Sequence, residues 1–267
     1  MLYNNNQVHP FHLVDPSPWP LLASGSVSTL LGGSVLYFYG IIYSVIFVRI
    51  SFILTVSLMA IWWRDVVREA SYEGQHTYFV ERSMRMGMAL FIISEIMFFF
   101  AFFWAFFYSS INADLGIGSI WPPKGIEVPH FLSIPLLNTL ILLLSGATIT
   151  ISHKRTVMGY RKKSLDYLLI TFYLGVFFLF FQYFEYGISN FSISDSIYGC
   201  CFFMATGFHG FHVFVGATFI LASLYRMSLY HFTRDSHFGY EACIWYWHFV
   251  DVVWLFLYFF VYWWGGH

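Results

Sequence analysis

Charge is what this sequence has least of. Asp, Glu, Lys and Arg together make up 10% of its 267 residues, against roughly a quarter in a soluble domain. Hydrophobic residues reach 58% and aromatics 23%, and mean hydropathy is +0.65. So few charges cannot coat a water-facing surface around so much apolar material, which excludes soluble globular, disordered and fibrous classes. A net charge of -1 supplies no basic field for a nucleic acid. Cysteine is scarce as well. Cys200, Cys201 and Cys243 form no CxxC pair, so neither a zinc ribbon nor a disulfide framework is read, and the three are expected to be small buried apolar residues. Soluble-enzyme motifs are missing: no Walker loop, no GxGxxG after a strand, no GxSxG elbow. Met1 to Val8 has neither an apolar signal core nor an Arg-rich amphipathic stretch, so no cleavable presequence is read there. What remains is an integral membrane protein.

The organisation follows from where charges are missing. Residues 16–48, 128–153, 167–184 and 196–225 contain no Asp, Glu, Lys or Arg. Residues 86–113 carry only Glu95, and 242–267 carry only Asp251. A helix needs about 20 residues to cross about 30 Å of hydrocarbon. The runs predict an all-α, polytopic protein of seven transmembrane helices in a single membrane domain, near 21–39, 41–63, 86–108, 132–151, 168–184, 197–225 and 242–264. Their length and lack of two-residue alternation favour helices over barrel strands. All eight prolines lie at edges or in loops, as proline's missing donor requires.

Thirteen Lys and Arg residues test the count. Eleven fall on the side shared by the N-terminus and the even-numbered loops: Arg64, Arg68, Arg82, Arg85, Lys154, Arg155, Arg161, Lys162, Lys163, Arg226 and Arg234. Only Arg49 and Lys124 fall on the other. This asymmetry places the N-terminus inside and the C-terminus outside. Neither inverted repeats nor matching Gly/Pro breaks, the marks of many transporters, are visible.

Ionisable groups at membrane depth are the first candidates for function. Glu95 sits mid-span, and reads either as a proton-linked or lipid-contacting site or as a carboxyl hydrogen-bonded between helices. His209 and His212, like His248 and Asp251, are spaced i, i+3 and share a helical face. A haem or metal reading needs imidazoles from facing helices, for which His212 and His248 are the candidate pair, yet no HExxH or CxxC spacing supports it. Interhelical polar contact is the favoured role, with Gly207, Gly210 and Gly216 letting helices approach. Trp62, Trp63, Trp245, Trp247, Trp263 and Trp264 read as interfacial belts. Trp63 with Arg64, Arg68, Arg85, Arg226 and His76 also suits an anionic phospholipid headgroup, since guanidinium groups bind phosphate bidentately.

At this point a family resemblance appears. His12-Leu13-Val14-Asp15-Pro16-Ser17-Pro18-Trp19-Pro20 resembles the opening signature of cytochrome c oxidase subunit III. So do Trp62-Trp63-Arg64-Asp65-Val66-Val67-Arg68-Glu69, Phe91-Ile92-Ile93-Ser94-Glu95 and Trp121-Pro122-Pro123. The C-terminal third is most specific, in Ala205-Thr206-Gly207-Phe208-His209-Gly210-Phe211-His212 and Trp245-Tyr246-Trp247-His248-Phe249-Val250-Asp251. The match runs in order from about residue 9 to 266. It implies a non-catalytic subunit of the proton-pumping oxidase that passes electrons from cytochrome c to oxygen, with helices 1–2 splayed from helices 3–7 around bound phospholipid. It implies subunit I as main partner, with subunit II and accessory subunits, and haem and copper only in partner subunits. The implied role is to stabilise subunit I and to support its proton uptake and oxygen access. By motif position Trp63, Glu69, His76 and Arg226 correspond to headgroup-side residues, and Glu95 to a buried carboxylate.

The chain also departs from the family. Gln75-His76, His153-Lys154 and Ser236-His237 stand where paired histidines are common, which argues further against metal in this chain. Tyr108 replaces a common histidine, and Phe184-Glu185-Tyr186-Gly187 is atypical. Heavy Phe, Tyr and Ile usage fits an organelle-encoded protein of the mitochondrial inner membrane, with its N-terminus on the matrix side; a bacterial plasma membrane is the alternative. A secondary transporter and a membrane haem oxidoreductase are the competing functional classes.

Overall fold

A computed structural model describes residues 9–266; Met1 to Val8, where no presequence was read, lie outside the described residues. Seven helices are long and apolar enough to cross a membrane: α1 (Trp19–Phe38), α2 (Ser44–Ser71), α3 (Tyr78–Ile111), α4 (Ile134–Val157), α5 (Arg161–Ile188), α6 (Ile197–Ser228) and α7 (Phe238–Leu257). A π-helical turn over Tyr258–Trp263 and a 3-10 turn over Trp264–Gly266 prolong α7. No strand occurs among the described residues. Helices 3, 5 and 6 run beyond their apolar windows because charged and polar ends such as Glu81, Arg161 and Arg226 continue the same hydrogen-bonded backbone outside the hydrocarbon. The second span was placed from 41, yet α2 starts at Ser44. Gly40 takes φ +81°, its N–H bonds the Tyr37 carbonyl and the Ile41 N–H bonds Leu36, a left-handed stop that only glycine adopts without strain.

The chain divides into two compact units, Met1–Met84 and Arg85–His267. In the first, α1 packs against α2. Small side chains line the contact, with Ser26 and Gly33 buried on α1 and Ser44 and Ser51 on α2. Trp19 Nε1 donates to Asp65 Oδ2 at 2.8 Å, tying the start of α1 to the end of α2.

In the second unit α7 is the central element. Its residues Tyr240, Trp247 and Trp254 recur every seven positions and are fully buried. Each donates to a hydroxyl on antiparallel α4: Tyr240 Oη to Ser152 Oγ at 2.6 Å, Trp247 Nε1 to Ser145 Oγ at 2.9 Å, and Trp254 Nε1 to Thr139 Oγ1 at 2.9 Å. In hydrocarbon a buried indole N–H has no water to turn to, so these bonds fix the register of the two helices. The indole of Trp247 also occupies space left by glycine on two further helices. A Cβ added at Gly175 of α5 would lie 2.6 Å from Trp247 Cη2, and one at Gly216 of α6 would lie 2.9 Å from Cε3. The other two glycines expected to bring helices together do not: a Cβ at Gly207 or Gly210 meets nothing within 4 Å.

Short connections hold the ends. Gly159, at φ +81°, closes α4 with Tyr160 N–H bonded to the Arg155 carbonyl, and the Arg234 guanidinium fills the space over it. Arg161 donates from Nε to Met227 O at 2.8 Å and from Nη2 to Ser228 O at 2.5 Å, adding side-chain donors to the carbonyls of the last turn of α6.

Gly175→Ala is expected to destabilise the second unit by about 1–3 kcal/mol through overpacking against Trp247. Trp247→Phe removes the colliding atom, so the double variant should lose less than the sum of the two singles, by about 0.5 kcal/mol or more. Thermal dissociation of the purified protein measures this, and strict additivity would mean that the contact is not what excludes a side chain at Gly175.

Candidate functional site

Glu95 of α3 meets His212 of α6. His212 Nε2 lies 2.7 Å from Glu95 Oε2, and His212 Nδ1 lies 2.7 Å from the Phe208 carbonyl oxygen. A carbonyl oxygen only accepts, so Nδ1 carries hydrogen. One further proton then lies between Nε2 and the carboxyl group. Whether it sits on the Glu95 carboxyl oxygen or on the His212 ring, the pair has no net charge, which is the arrangement that limits the penalty of burial. Phe99 stands edge-on to the His212 ring at 5.0 Å, and Tyr246 stacks on it at 6.3 Å.

His209 sits one turn away and behaves differently. It is fully buried, packed against Phe178 at 5.5 Å and Trp254 at 5.2 Å between ring centroids. Neither ring nitrogen has a hydrogen-bond partner among the described residues. The polar contact expected for His209 is therefore replaced by aromatic packing, because the side chain points into the Trp254 rung rather than at another polar group. His248 bonds Thr150 Oγ1 at 3.2 Å, and its Nδ1 lies 3.7 Å from Asp251 Oδ2. Asp251 fits against α4 only because Gly146 is there: a Cβ would come within 2.5 Å of Oδ2.

The residues expected at a lipid headgroup divide between the units. In the first, Trp63 is 61% exposed, Arg68 is exposed, and Arg64 bonds Asp65 at 2.8 Å. Glu69 and His76 approach each other and His12, with one ligand-type atom from each lying within 4.8 Å of the others. In the second unit, Arg85 Nε is held on Glu241 Oε2 at 2.9 Å. The Arg226 guanidinium lies 4.4 Å from the centre of the Phe232 ring. In the segment between α6 and α7, burial first and the Arg226 charge second hold His231 below the ordinary imidazole value.

Two constellations were not visible in the sequence. Glu185, 2% exposed, accepts from Tyr262 Oη at 2.7 Å, and Gln182 Nε2 donates to the same Oη at 3.4 Å. Glu185 directly follows the charge-free run 167–184, and nothing in that segment points to Tyr262, 77 residues further on. The second constellation joins His153, His237 and Glu241. His153 and His237 are 84 residues apart, and each is the remaining member of an interrupted histidine pair, so spacing gave no signal; the helix register brings them face to face.

Seven helices long and apolar enough to cross a membrane, with polar side chains paired between several of them, define a polytopic α-helical membrane protein. The family model for cytochrome c oxidase subunit III matches residues 9–266. The chain is 53% identical over 260 residues to cytochrome c oxidase subunit 3 of Chondrus crispus, covering 97% of this chain and 96% of that protein. It is 52% identical to that of Prototheca wickerhamii, covering 97% and 98%, and 50% identical to that of Papio hamadryas, covering 98% and 99%. The chain belongs to the cytochrome c oxidase subunit III family. It is thus a subunit of the proton-translocating oxidase, and its helices and eukaryotic relatives indicate a multi-pass protein of the mitochondrial inner membrane.

The Glu95–His212 geometry predicts a graded response. Glu95→Gln retains an N–H for His212 Nε2 and should leave thermal stability nearly unchanged. Glu95→Leu strands the imidazole nitrogen and should cost about 1–3 kcal/mol. Equal melting temperatures for the two variants would show that the hydrogen bond contributes nothing.

Proposed function

We propose that this chain is a non-redox supporting subunit, which steadies subunit I and sustains its proton uptake and oxygen access, with subunit II and accessory subunits as further neighbours and haem and copper held by partner subunits. The observation that carries this is how the membrane-depth histidines are occupied. His212 uses both nitrogens within the chain, His248 is engaged by Thr150 and Asp251, and His209 is walled in by Phe178 and Trp254. None presents a nitrogen to a facing imidazole across a gap of haem size. The competing transporter reading lacks support in α1 to α6, each of which runs unbroken through its span. Metal analysis of the separated subunit tests the proposal: no stoichiometric iron or copper is expected, and either one would overturn it.

The second part of the reading is an anionic phospholipid held by its headgroup at Trp63, Arg64, Arg68, Glu69 and His76. It rests on an exposed indole and an exposed guanidinium, Trp63 and Arg68, within the last turns of α2 at its basic end. Arg85 and Arg226, which belong to the same reading, lie in the second unit, where Arg85 pairs with Glu241 and the Arg226 guanidinium stands 4.4 Å from the centre of the Phe232 ring. Each basic residue near such a headgroup is worth on the order of 1 kcal/mol, a change of roughly fivefold. Arg68→Ala should lower the phospholipid retained by the purified complex by about that factor, Trp63→Ala should lower it as well, and Arg226→Ala by less. Mass spectrometry showing the same lipid content in all three would reduce these side chains to orientation signals.

The matrix-side N-terminus is likewise proposed from the charge asymmetry. Ser164 is fully buried and bonded to Ser152, so the labelling probe belongs at exposed Lys163. In intact mitochondria a Lys163→Cys thiol should react only after the inner membrane is opened to the matrix. Modification from the outside would reverse the topology.

A further inference from the structure

The last turns of α4, the segment after α6 and the first turn of α7 converge on three ligand-type side chains. His153 Nε2 and His237 Nε2 lie 3.2 Å apart, and His237 Nε2 lies 3.6 Å from Glu241 Oε1. All three ligand atoms fall within 4.8 Å of one another. Two atoms each bound at about 2.0–2.1 Å to a tetrahedral zinc ion are separated by about 3.3–3.4 Å. The gap between the imidazoles is already of that size.

The surroundings also suit ligation. His237 Nδ1 lies 3.0 Å from the Thr233 carbonyl oxygen. That oxygen can only accept, so Nδ1 bears the hydrogen and Nε2 presents its lone pair toward His153 and Glu241. Glu241 is fixed at its other oxygen, where Oε2 accepts from Arg85 Nε at 2.9 Å, leaving Oε1 toward the histidines. His237, the residue immediately before α7, and Glu241 in its first turn are spaced i, i+4, and the cap geometry brings their side chains to 3.6 Å. The His153 ring stands edge-on to Tyr240 at 6.0 Å, and Tyr240 is itself tied to α4 through Ser152. His237 is buried, whereas His153 and Glu241 are partly exposed, so water can reach a fourth position and an ion can enter.

We propose that His153, His237 and Glu241 form a binding site for one zinc-class divalent cation, bridging the end of α4 and the start of α7. Two imidazoles and one carboxylate favour zinc over magnesium, which prefers all-oxygen ligands and retains its waters. Three protein ligands with an open fourth position leave the ion exchangeable. The site involves no redox step and stands independently of the supporting role proposed above.

The test uses the assembled oxidase. Wild-type complex and complexes carrying His153→Gln, His237→Gln or Glu241→Gln are equilibrated with micromolar Zn2+ and freed of excess by desalting, and zinc is measured per haem. The wild type should retain one zinc more than each variant, whose affinity should be roughly tenfold or more weaker. The same zinc content and affinity throughout would overturn the proposal. His237 is buried and His237→Gln could impair assembly. His153→Gln replaces a partly exposed side chain and keeps an amide donor for His237, so it carries the test if the other variant fails. A second measurement is the dissociation temperature with added Zn2+ or Mg2+. Zn2+ should raise it in the wild type but not in His153→Gln, and Mg2+ in neither. An equal rise with Mg2+, or an equal rise with Zn2+ in wild type and variant, would mean general ionic stabilisation and no such site.

Discussion

Three buried donors on α7 have to find acceptors in a medium that offers no water, and the second unit is arranged around that requirement. Tyr240, Trp247 and Trp254 each reach a hydroxyl of α4. Bulk apolar attraction cannot align two helices in lipid, because a leucine gains little by exchanging a lipid tail for another leucine. Close packing and directional bonds do it instead. The seven-residue recurrence of the aromatics keeps them on one face of α7, and the near-matching spacing of Ser152, Ser145 and Thr139 provides a complementary row on α4. Moving either helix by one turn would leave three donors and three hydroxyls without these partners.

The same constraint explains which side chains could be charged. Glu95 lies opposite His212 with one proton between the two groups. Asp251 lies in the space opened by Gly146, with His248 one turn before it. Glu185 meets the Tyr262 hydroxyl. Each carboxyl at membrane depth is thus accompanied by a donor from another position in the bundle or along its own helix. Arginines, by contrast, gather at helix ends. There Arg161 caps α6 and Arg234 covers Gly159, so charges that read only as orientation signals also close the backbone where helices stop.

Seven spans, their order and the polar positions on α6 and α7 were legible because charge is excluded from hydrocarbon, a one-dimensional signal that a sequence carries directly. The boundary between the first two spans was legible only to within a few residues, because the left-handed turn at Gly40 that delays α2 to Ser44 leaves no mark on a charge count. Pairings were not legible. Glu95 and His212 are 117 residues apart, and nothing in either segment specifies that they lie at one depth. The glycines show the same limit. Gly207, Gly210 and Gly216 look equivalent along the chain, but only Gly216 faces the Trp247 ring, since helix rotation decides which small residue meets a neighbour. Nor does spacing show that Arg85 pairs with Glu241, 156 residues further along the chain.

The aromatic seam and the histidine cluster share a physical origin. Tyr240 is the last rung of the α4–α7 ladder, and His237 and Glu241 flank it in sequence at the start of α7. Once Tyr240 bonds Ser152, the next residue of α4, His153, is brought beside His237 by the same register. Deep in the membrane that register satisfies donors with hydroxyls. At the water-facing end it instead leaves two imidazoles and a carboxylate converging where solvent can compete for them. An ion held there would add a fourth tie in line with the three hydrogen bonds, at the end of the ladder where fraying into water is least opposed by the surrounding lipid.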